Sequence, residues 1–272
     1  MGRFRTSDGV TLAYDDQGEG RAILCLAGLT RCARDFDYVL PHLPGRVIRL
    51  DYRGRGRSDW ASPETYTIPI EARDVIELLN HLGLDKVAVL GTSRGGLIAM
   101  LLAATAKDRL AGVCLNDIGP EIAPDGMAVI RDYIGVAPSV KTYAEAATAI
   151  SARQPGFARV PQSRWDDEVR HFYDQTEDGL TLRYDPDLRV PVLATVEAEA
   201  PDLWPVFDAL AGLPLALIRG ENSNILTRET AAQMRARRPD MIYADVPGRG
   251  HVPFLDEPQS LAAIAEWTAL LA

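Results

Sequence analysis

Apolar residues occur along this chain in two patterns that alternate over most of its length. Short continuous apolar runs predict strands that are buried on both faces, and apolar residues at every third or fourth position predict amphipathic helices. The predicted strands are residues 10–14, 22–27, 46–50, 86–90, 110–115, 214–219 and 241–246. The predicted helices are residues 69–82, 97–106, 227–238 and 257–271. This alternation predicts an α/β fold, with a mostly parallel central sheet and helices on both of its faces.

The alternation stops between residues 118 and 204. This stretch instead contains helical patterns, several prolines and a turn at Asp178-Gly179. The pattern predicts a core built from residues 1–117 and 205–272, interrupted by a mainly helical cap at 118–204. A chain of 272 residues is long enough for one domain of this kind with its insertion.

Charge and cysteine content narrow the classes of function. The chain has 38 acidic and 29 basic side chains, a formal net charge of −9, which disfavours nonspecific binding to nucleic acids and anionic membranes. No run approaches the roughly 18 apolar residues of a membrane helix, and the N-terminus lacks the apolar segment of a secretory signal.

The three cysteines form no C-x-x-C pair, and Cys25 and Cys114 lie in apolar runs that predict buried, inert thiols. We therefore expect a reduced cytoplasmic protein without a disulfide framework or a zinc site.

A G-x-S-x-G pattern, Gly91-Thr92-Ser93-Arg94-Gly95, lies between a predicted strand and a predicted helix. A serine on such a tight turn needs small neighbours two residues away on each side, and Gly91 and Gly95 supply them. The turn lifts the serine Oγ out of the sheet, near a helix N-terminus where developing negative charge is stabilised. Ser93 is therefore the candidate nucleophile.

A serine nucleophile needs a base, and the chain has four histidines. His251 lies in a glycine-containing segment after the last predicted strand and is the candidate base. His81 is predicted on the surface of a helix, and His42 follows a proline turn. His171 lies in the predicted cap, where local packing is expected.

The oxyanion formed in acyl transfer needs two donors, which are backbone N–H groups in serine enzymes of this design. One is expected from Arg94, the residue after the nucleophile. The other is expected from Leu29, in the loop that follows the predicted strand 22–27.

These segments resemble the α/β-hydrolase superfamily, in its single-domain esterase and lactonase-like branch, over nearly the whole chain. The matching segments are residues 26–29 (LAGL), 51–59 (DYRGRGRSD), 91–96 (GTSRGG), 115–120 (LNDIGP), 217–224 (LIRGENSN) and 250–251 (GH). The resemblance implies a serine hydrolase that cleaves small-molecule esters through an acyl-enzyme, with Ser93 and His251 as nucleophile and base. It implies no metal and no organic cofactor.

The acid that orients the histidine is where the chain departs from the family. The resemblance places this acid after the predicted strand 214–219, where the chain has Asn224. Asparagine supplies no negative charge to an imidazolium, and the comparable loss in a serine protease is roughly 10⁴ in turnover. Three interpretations are open. Asn224 replaces an aspartate deliberately; or Asp117, after the predicted strand 110–115, is the acid; or Asn224 is native, and the protein is weakly active or repurposed for binding.

Several functions are compatible with this pattern. Ester hydrolysis is the principal expectation, and lactone opening, C–C bond hydrolysis and cofactor-free oxygenation are the enzymatic alternatives. A noncatalytic ligand-binding protein is the alternative from another class. Dehalogenases and epoxide hydrolases of this superfamily carry an aspartate where this chain has Ser93, which disfavours their chemistry here.

The predicted cap contains six aromatic residues that we expect to divide between packing and the lining of an apolar pocket. They are Tyr133, Phe157, Trp165, Phe172, Tyr173 and Trp204.

Overall fold

A twisted central sheet organises the molecule. The computed structural model describes residues 1–197 and 201–271. Its strands are β1 Gly2–Arg5, β2 Thr11–Gln17, β3 Ala22–Leu26, β4 Arg46–Leu50, β5 Val87–Thr92, β6 Leu110–Asn116, β7 Tyr173–Thr176, β8 Gly179–Leu182, β9 Leu215–Gly220 and β10 Ile242–Val246. Eight of them form one sheet in the order β1-β2-β4-β3-β5-β6-β9-β10. The two pairings of β2 are antiparallel and the others are parallel, which confirms the predicted α/β fold.

Helices cover both faces of this sheet. In the described ranges they are α1 Ile68–His81, α2 Arg94–Thr105, α3 Pro124–Tyr133, α4 Tyr143–Ala152, α5 Gln162–Phe172, α6 Arg189–Glu197, α7 Trp204–Asp208, α8 Arg228–Arg237 and α9 Pro258–Ala269. Alternate side chains of a strand point to opposite faces. Leu24 of β3 therefore belongs to the apolar cluster that also contains residues of α1, α2 and α8. Ile23 and Cys25 belong to the cluster on the other face, which contains Trp267 of α9.

The chain between β6 and β9 lies against the loops that follow the carboxyl ends of the strands. It contains α3 to α7 and the β7–β8 hairpin. Backbone hydrogen bonds join Arg183 to Gly56, in the loop after β4, and Ala158 to Gly248, in the loop after β10. Two small apolar clusters lie within this segment and at its contact with the core. The division into a core and a cap at 118–204 stays a prediction, and Phe207 of α7 packs into the main core.

The structure also bears on the expectations for the cysteines, for membrane-spanning helices and for a metal site. The three cysteines are buried and unpaired with one another, and burial raises the pKa of the Cys25 thiol to about 12. Across residues 1–197 and 201–271, no helix is long and apolar enough to cross a membrane. The same residues contain no cluster of His, Cys, Asp or Glu suited to hold a metal ion.

Candidate active site

The turn between β5 and α2 carries Ser93 in a strained backbone conformation, with φ 50° and ψ −114°. A φ in this range is uncommon for residues other than glycine, and strain of this kind concentrates at functional sites. The flanking glycines allow the turn. A Cβ at Gly91 would lie 2.6 Å from the carbonyl oxygen of Gly95, and a Cβ at Gly95 would collide with the carbonyl oxygen of Leu26 in β3. The close approach of α2 to the sheet therefore requires glycine at both positions.

His251 lies in the loop after β10, and its imidazole reaches the serine. Its Nε2 is 2.9 Å from the Ser93 Oγ, which is hydrogen-bonding distance. The side chain is 18% exposed, so the imidazole is largely shielded from water but open on one side. A Cβ at Gly220, at the end of β9, would collide with the carbonyl oxygen of Gly250. This glycine lets the histidine loop pack against the end of β9.

Asp117 follows β6 directly and occupies the other side of the imidazole. Its Oδ2 lies 2.7 Å from Nδ1 of His251. The carboxylate is fully buried and accepts two further hydrogen bonds, from the backbone N–H of Gly220 at 2.8 Å and from the hydroxyl of Ser223 at 2.7 Å. A buried carboxylate that accepts from three donors is fixed in orientation, and it holds the proton of the neutral imidazole on Nδ1.

Asn224 does not occupy the position expected for the acid. It is exposed, and no hydrogen bond of its side chain occurs among the described residues. The reason lies in the sheet. β6 and β9 are parallel neighbours in which Asn116 is level with Ile218, so their carboxyl ends meet at the same edge. The residue directly after β6 lies beside the imidazole, whereas the loop after β9 turns Asn224 outward and contributes Ser223 instead. The position that the resemblance gave to Asn224 is therefore wrong for contact with the imidazole, and the residue that makes this contact is the alternative, Asp117.

The other histidines lie elsewhere. His81, at the end of α1, stacks on Phe4 with ring centroids 5.5 Å apart, and His42 is exposed. His171 is buried on α5, with its ring 5.6 Å from that of Tyr38. Burial, together with several neighbouring arginines, lowers the pKa of His171 to about 3.

The two candidate oxyanion donors belong to segments that meet at Ser93. A Cβ on Gly28, which precedes Leu29, would be 3.9 Å from the Cβ of Ser93. The N–H groups of Gly95 and Gly96 bond to backbone carbonyls. Within the described part of the chain, the N–H groups of Leu29 and Arg94 have no protein acceptor. They remain able to donate to a ligand oxygen.

Two buried acids on α1 were not recognised in the sequence. Glu71 contacts Arg55 and Arg94, and Asp74 contacts Arg53. A signal was present, because both acids lie on the buried face of α1, in register with apolar residues such as Val75. An acid on the apolar face of a helix needs a partner. The pattern does not reveal which arginines supply it.

The aromatic residues of the predicted cap make several kinds of contact. Phe157 and Trp165 pack edge to face, with centroids 5.6 Å apart, and both contact Phe254. Trp204 packs against its neighbour Phe207. The remaining residues of the predicted set behave differently: Phe172 stacks under the guanidinium of Arg31, Tyr173 contacts Phe172, and Tyr133 is 43% exposed.

Comparison with known proteins identifies relatives that align with most of the chain. The chain is 37% identical over 265 residues to the 3-hydroxybutyrate-oligomer hydrolase of Cupriavidus necator, covering 92% of this chain and 90% of that protein. It is 25% identical to the 2-(acetamidomethylene)succinate hydrolase of Mesorhizobium japonicum, covering 89% and 85% of the two chains. The crystal structure of an alpha/beta hydrolase from Novosphingobium aromaticivorans matches with a TM-score of 0.93 and 37% identity, covering 99% of this chain and 97% of that one.

A sequence profile of the alpha/beta hydrolase family matches residues 23–264. This match spans the central strands from β3 onward, the serine turn and the histidine loop. It agrees with the order of strands in the sheet and with the hydrolases that resemble the chain over most of its length. The chain belongs to the alpha/beta hydrolase family.

Proposed function

We propose that this protein is a serine hydrolase that cleaves carboxylic esters of small molecules through an acyl-enzyme. One observation carries the proposal. A continuous hydrogen-bonded chain runs from the Ser93 Oγ through both nitrogens of His251 to Asp117, with distances of 2.9 and 2.7 Å. This is the arrangement that converts a weakly nucleophilic hydroxyl into an attacking group at neutral pH.

The first half-reaction forms the acyl-enzyme. Ser93 Oγ attacks the acyl carbon while Nε2 of His251 removes its proton, and the charge of Asp117 stabilises the imidazolium that results. The N–H groups of Leu29 and Arg94 donate to the oxyanion of the tetrahedral intermediate. Loss of one such donor costs about 10²–10³ in turnover in a serine protease. The C–O bond to the alcohol then breaks, and the imidazolium gives its proton to the leaving oxygen.

The second half-reaction releases the acid. A water molecule attacks the acyl carbon, and Nε2 of His251 again accepts the proton. The same two backbone donors bind the second oxyanion. Collapse of this intermediate breaks the bond to the Ser93 Oγ, which recovers its proton from the imidazolium. The balance of atoms is one ester and one water converted into one acid and one alcohol.

The relatives favour a substrate class within this chemistry. The protein of Cupriavidus necator is named for hydrolysis of 3-hydroxybutyrate oligomers and aligns with nearly the whole chain. We therefore propose short oligoesters of 3-hydroxy acids as substrates. The alternatives remain lactone opening and C–C bond hydrolysis by the same residues. The noncatalytic alternative loses its main support, because the residue beside His251 is Asp117 rather than Asn224.

A substrate panel tests this proposal. Purified protein and its Ser93→Ala variant are incubated with dimers and trimers of 3-hydroxybutyrate, p-nitrophenyl esters of increasing acyl length, and simple lactones. We expect wild-type turnover of the oligoesters and short p-nitrophenyl esters, and a loss of at least 10³-fold in the variant. Turnover of lactones alone would overturn ester hydrolysis in favour of the lactonase alternative. Binding without turnover of any compound would favour the noncatalytic alternative.

A further inference from the structure

A buried ionic network links the two candidate oxyanion segments. Its centre is Glu71 on α1, which is fully buried. One carboxylate oxygen, Oε2, accepts a hydrogen bond from Nε of Arg94 at 2.5 Å. The other, Oε1, forms an ion pair with Nη1 of Arg55 at 2.7 Å. The side chain of Arg55 is fully buried, and that of Arg94 is 10% exposed.

Each arginine of this network is connected to one candidate oxyanion donor. Arg94 carries one donor on its own backbone, and its Nη2 also donates to the carbonyl oxygen of Tyr66 at 3.0 Å. Arg55 donates through Nε to the carbonyl oxygen of Leu29 at 2.9 Å. Leu29 carries the other donor. Glu71 therefore bridges the two residues whose N–H groups would have to converge on one oxygen.

We propose that Glu71 is a positioning residue, which acts through Arg55 and Arg94 to hold the N–H groups of Leu29 and Arg94 in the geometry of an oxyanion hole. This inference rests on the proposed acyl-enzyme function. Donors of this kind act by being fixed before the reaction, and displacements of about 0.5 Å already weaken them. The carboxylate of Glu71 is fully buried and pairs with Arg55 and Arg94 rather than with Ser93.

Charge explains why an acid is needed at this position. The two guanidinium groups lower the pKa of Glu71 despite its burial, so the residue is ionised at neutral pH. Its negative charge lies between the guanidinium groups of Arg55 and Arg94, which share one buried region. Burial and the nearby charge of Arg94 lower the pKa of Arg55, which shows that the two cations disfavour each other there. Removal of the charge leaves the two cations to repel each other. The movement that follows would be transmitted to Leu29 and to the start of α2.

The chain offers a matched control on the same helix. Asp74 lies one turn after Glu71, is 1% exposed, and pairs with the buried Arg53 at 2.7 Å. The side chain of Arg53 makes its other contacts with Asp8. Only its backbone carbonyl oxygen meets the network, as the acceptor of a hydrogen bond from Nη1 of Arg55 at 2.7 Å. Glu71→Gln and Asp74→Asn each remove one buried charge from α1. Only the first removes a carboxylate that pairs with Arg55 and Arg94 themselves.

The test compares steady-state kinetics of the two variants on a short p-nitrophenyl ester. For Glu71→Gln we expect kcat to fall about 30- to 100-fold with KM within about threefold, because loss of transition-state stabilisation acts on kcat. The pH at which kcat/KM is half-maximal should stay within about 0.3 units, because His251 and Asp117 are untouched. For Asp74→Asn we expect kcat within about threefold of wild type, even if its melting temperature falls.

A third variant keeps the proposal testable if Glu71→Gln does not fold. Arg55→Lys retains the positive charge but loses the guanidinium that contacts both Glu71 and Leu29, and the same fall in kcat is expected. Unchanged kcat in both Glu71→Gln and Arg55→Lys would overturn the proposal, as would an equal loss in Asp74→Asn. An inactive wild-type protein would instead overturn the proposed function. The two failures are therefore distinguishable.

Discussion

The partner of His251 gives the sharpest prediction, because the sequence and the structure favour different residues. Asp117→Asn keeps the shape of the side chain and removes its charge. The carboxylate accepts hydrogen bonds from the imidazole, from the N–H of Gly220 and from the hydroxyl of Ser223. An amide has one accepting oxygen and one donating nitrogen, so its NH₂ group must face at least one of these donors. The variant therefore loses the charge and favours the wrong imidazole tautomer.

The expected loss follows from this geometry. The equivalent change in a serine protease lowers kcat by about 10⁴, which corresponds to about 5 kcal/mol of transition-state stabilisation. We expect Asp117→Asn to lower kcat on p-nitrophenyl butyrate by at least 10³-fold. The paired variant Asn224→Asp adds a carboxylate at an exposed position, and its kcat should stay within about twofold of wild type.

The assay is steady-state hydrolysis by purified protein, with circular dichroism and thermal unfolding to establish that each variant is folded. A folded Asp117→Asn protein that retains more than a tenth of wild-type kcat would show that Asp117 is not the acid. A rise in kcat of two or more orders of magnitude in Asn224→Asp would show the same. That rise is the result expected if Asn224 occupied the acid position.

Three further predictions concern packing and pH. Gly95→Ala places a methyl group against the carbonyl oxygen of Leu26, and overpacking of this kind typically costs about 1–3 kcal/mol. We therefore expect the melting temperature to fall by several degrees and esterase activity to be lost. Burial raises the pKa of Cys25 to about 12, and we expect the native protein's thiols to react with a thiol reagent such as DTNB only after denaturation. The pKa of His171 falls from 6.5 to about 3 on folding, so the stability that its neutral form contributes is full above pH 6.5 and is lost as the pH falls towards 3. In urea titrations over that pH range, His171→Gln should therefore gain stability relative to wild type by up to about 1.4 kcal/mol per pH unit.

The fold and two members of the candidate site are accessible from sequence because their signals are local. The turn at Ser93 depends on the two glycines beside it in the sequence, so the pattern G-x-S-x-G is enough to predict it. His251 follows a strand that is apparent from its apolar run. The alternation of strands and helices similarly predicts the parallel sheet. By contrast, β1 contains only Gly2–Arg5, and its existence depends on pairing with β2.

The choice between Asn224 and Asp117 could not be made from sequence. Both residues follow strands that are neighbours in the sheet, and both lie near the edge where His251 is found. The conformation of two loops decides which one meets the imidazole, and Ser223 and Gly220 fix that conformation by donating to Asp117. The partners of Glu71 are hidden for the same reason. Arg55 and Arg94 lie in distant parts of the sequence, and only the packing of α1 brings them together.

Mass spectrometry of an inhibited protein shows which residue carries the reactive nucleophile. The protein is treated with a fluorophosphonate, which phosphonylates activated serines, and the intact mass and the proteolytic peptides are then measured. We expect a single adduct on Ser93 in the wild-type protein, no adduct in Ser93→Ala, and labelling slowed by at least about 10²-fold in Asp117→Asn. Inhibition of ester hydrolysis without an adduct on Ser93, or by an adduct on another residue, would show that Ser93 is not the nucleophile.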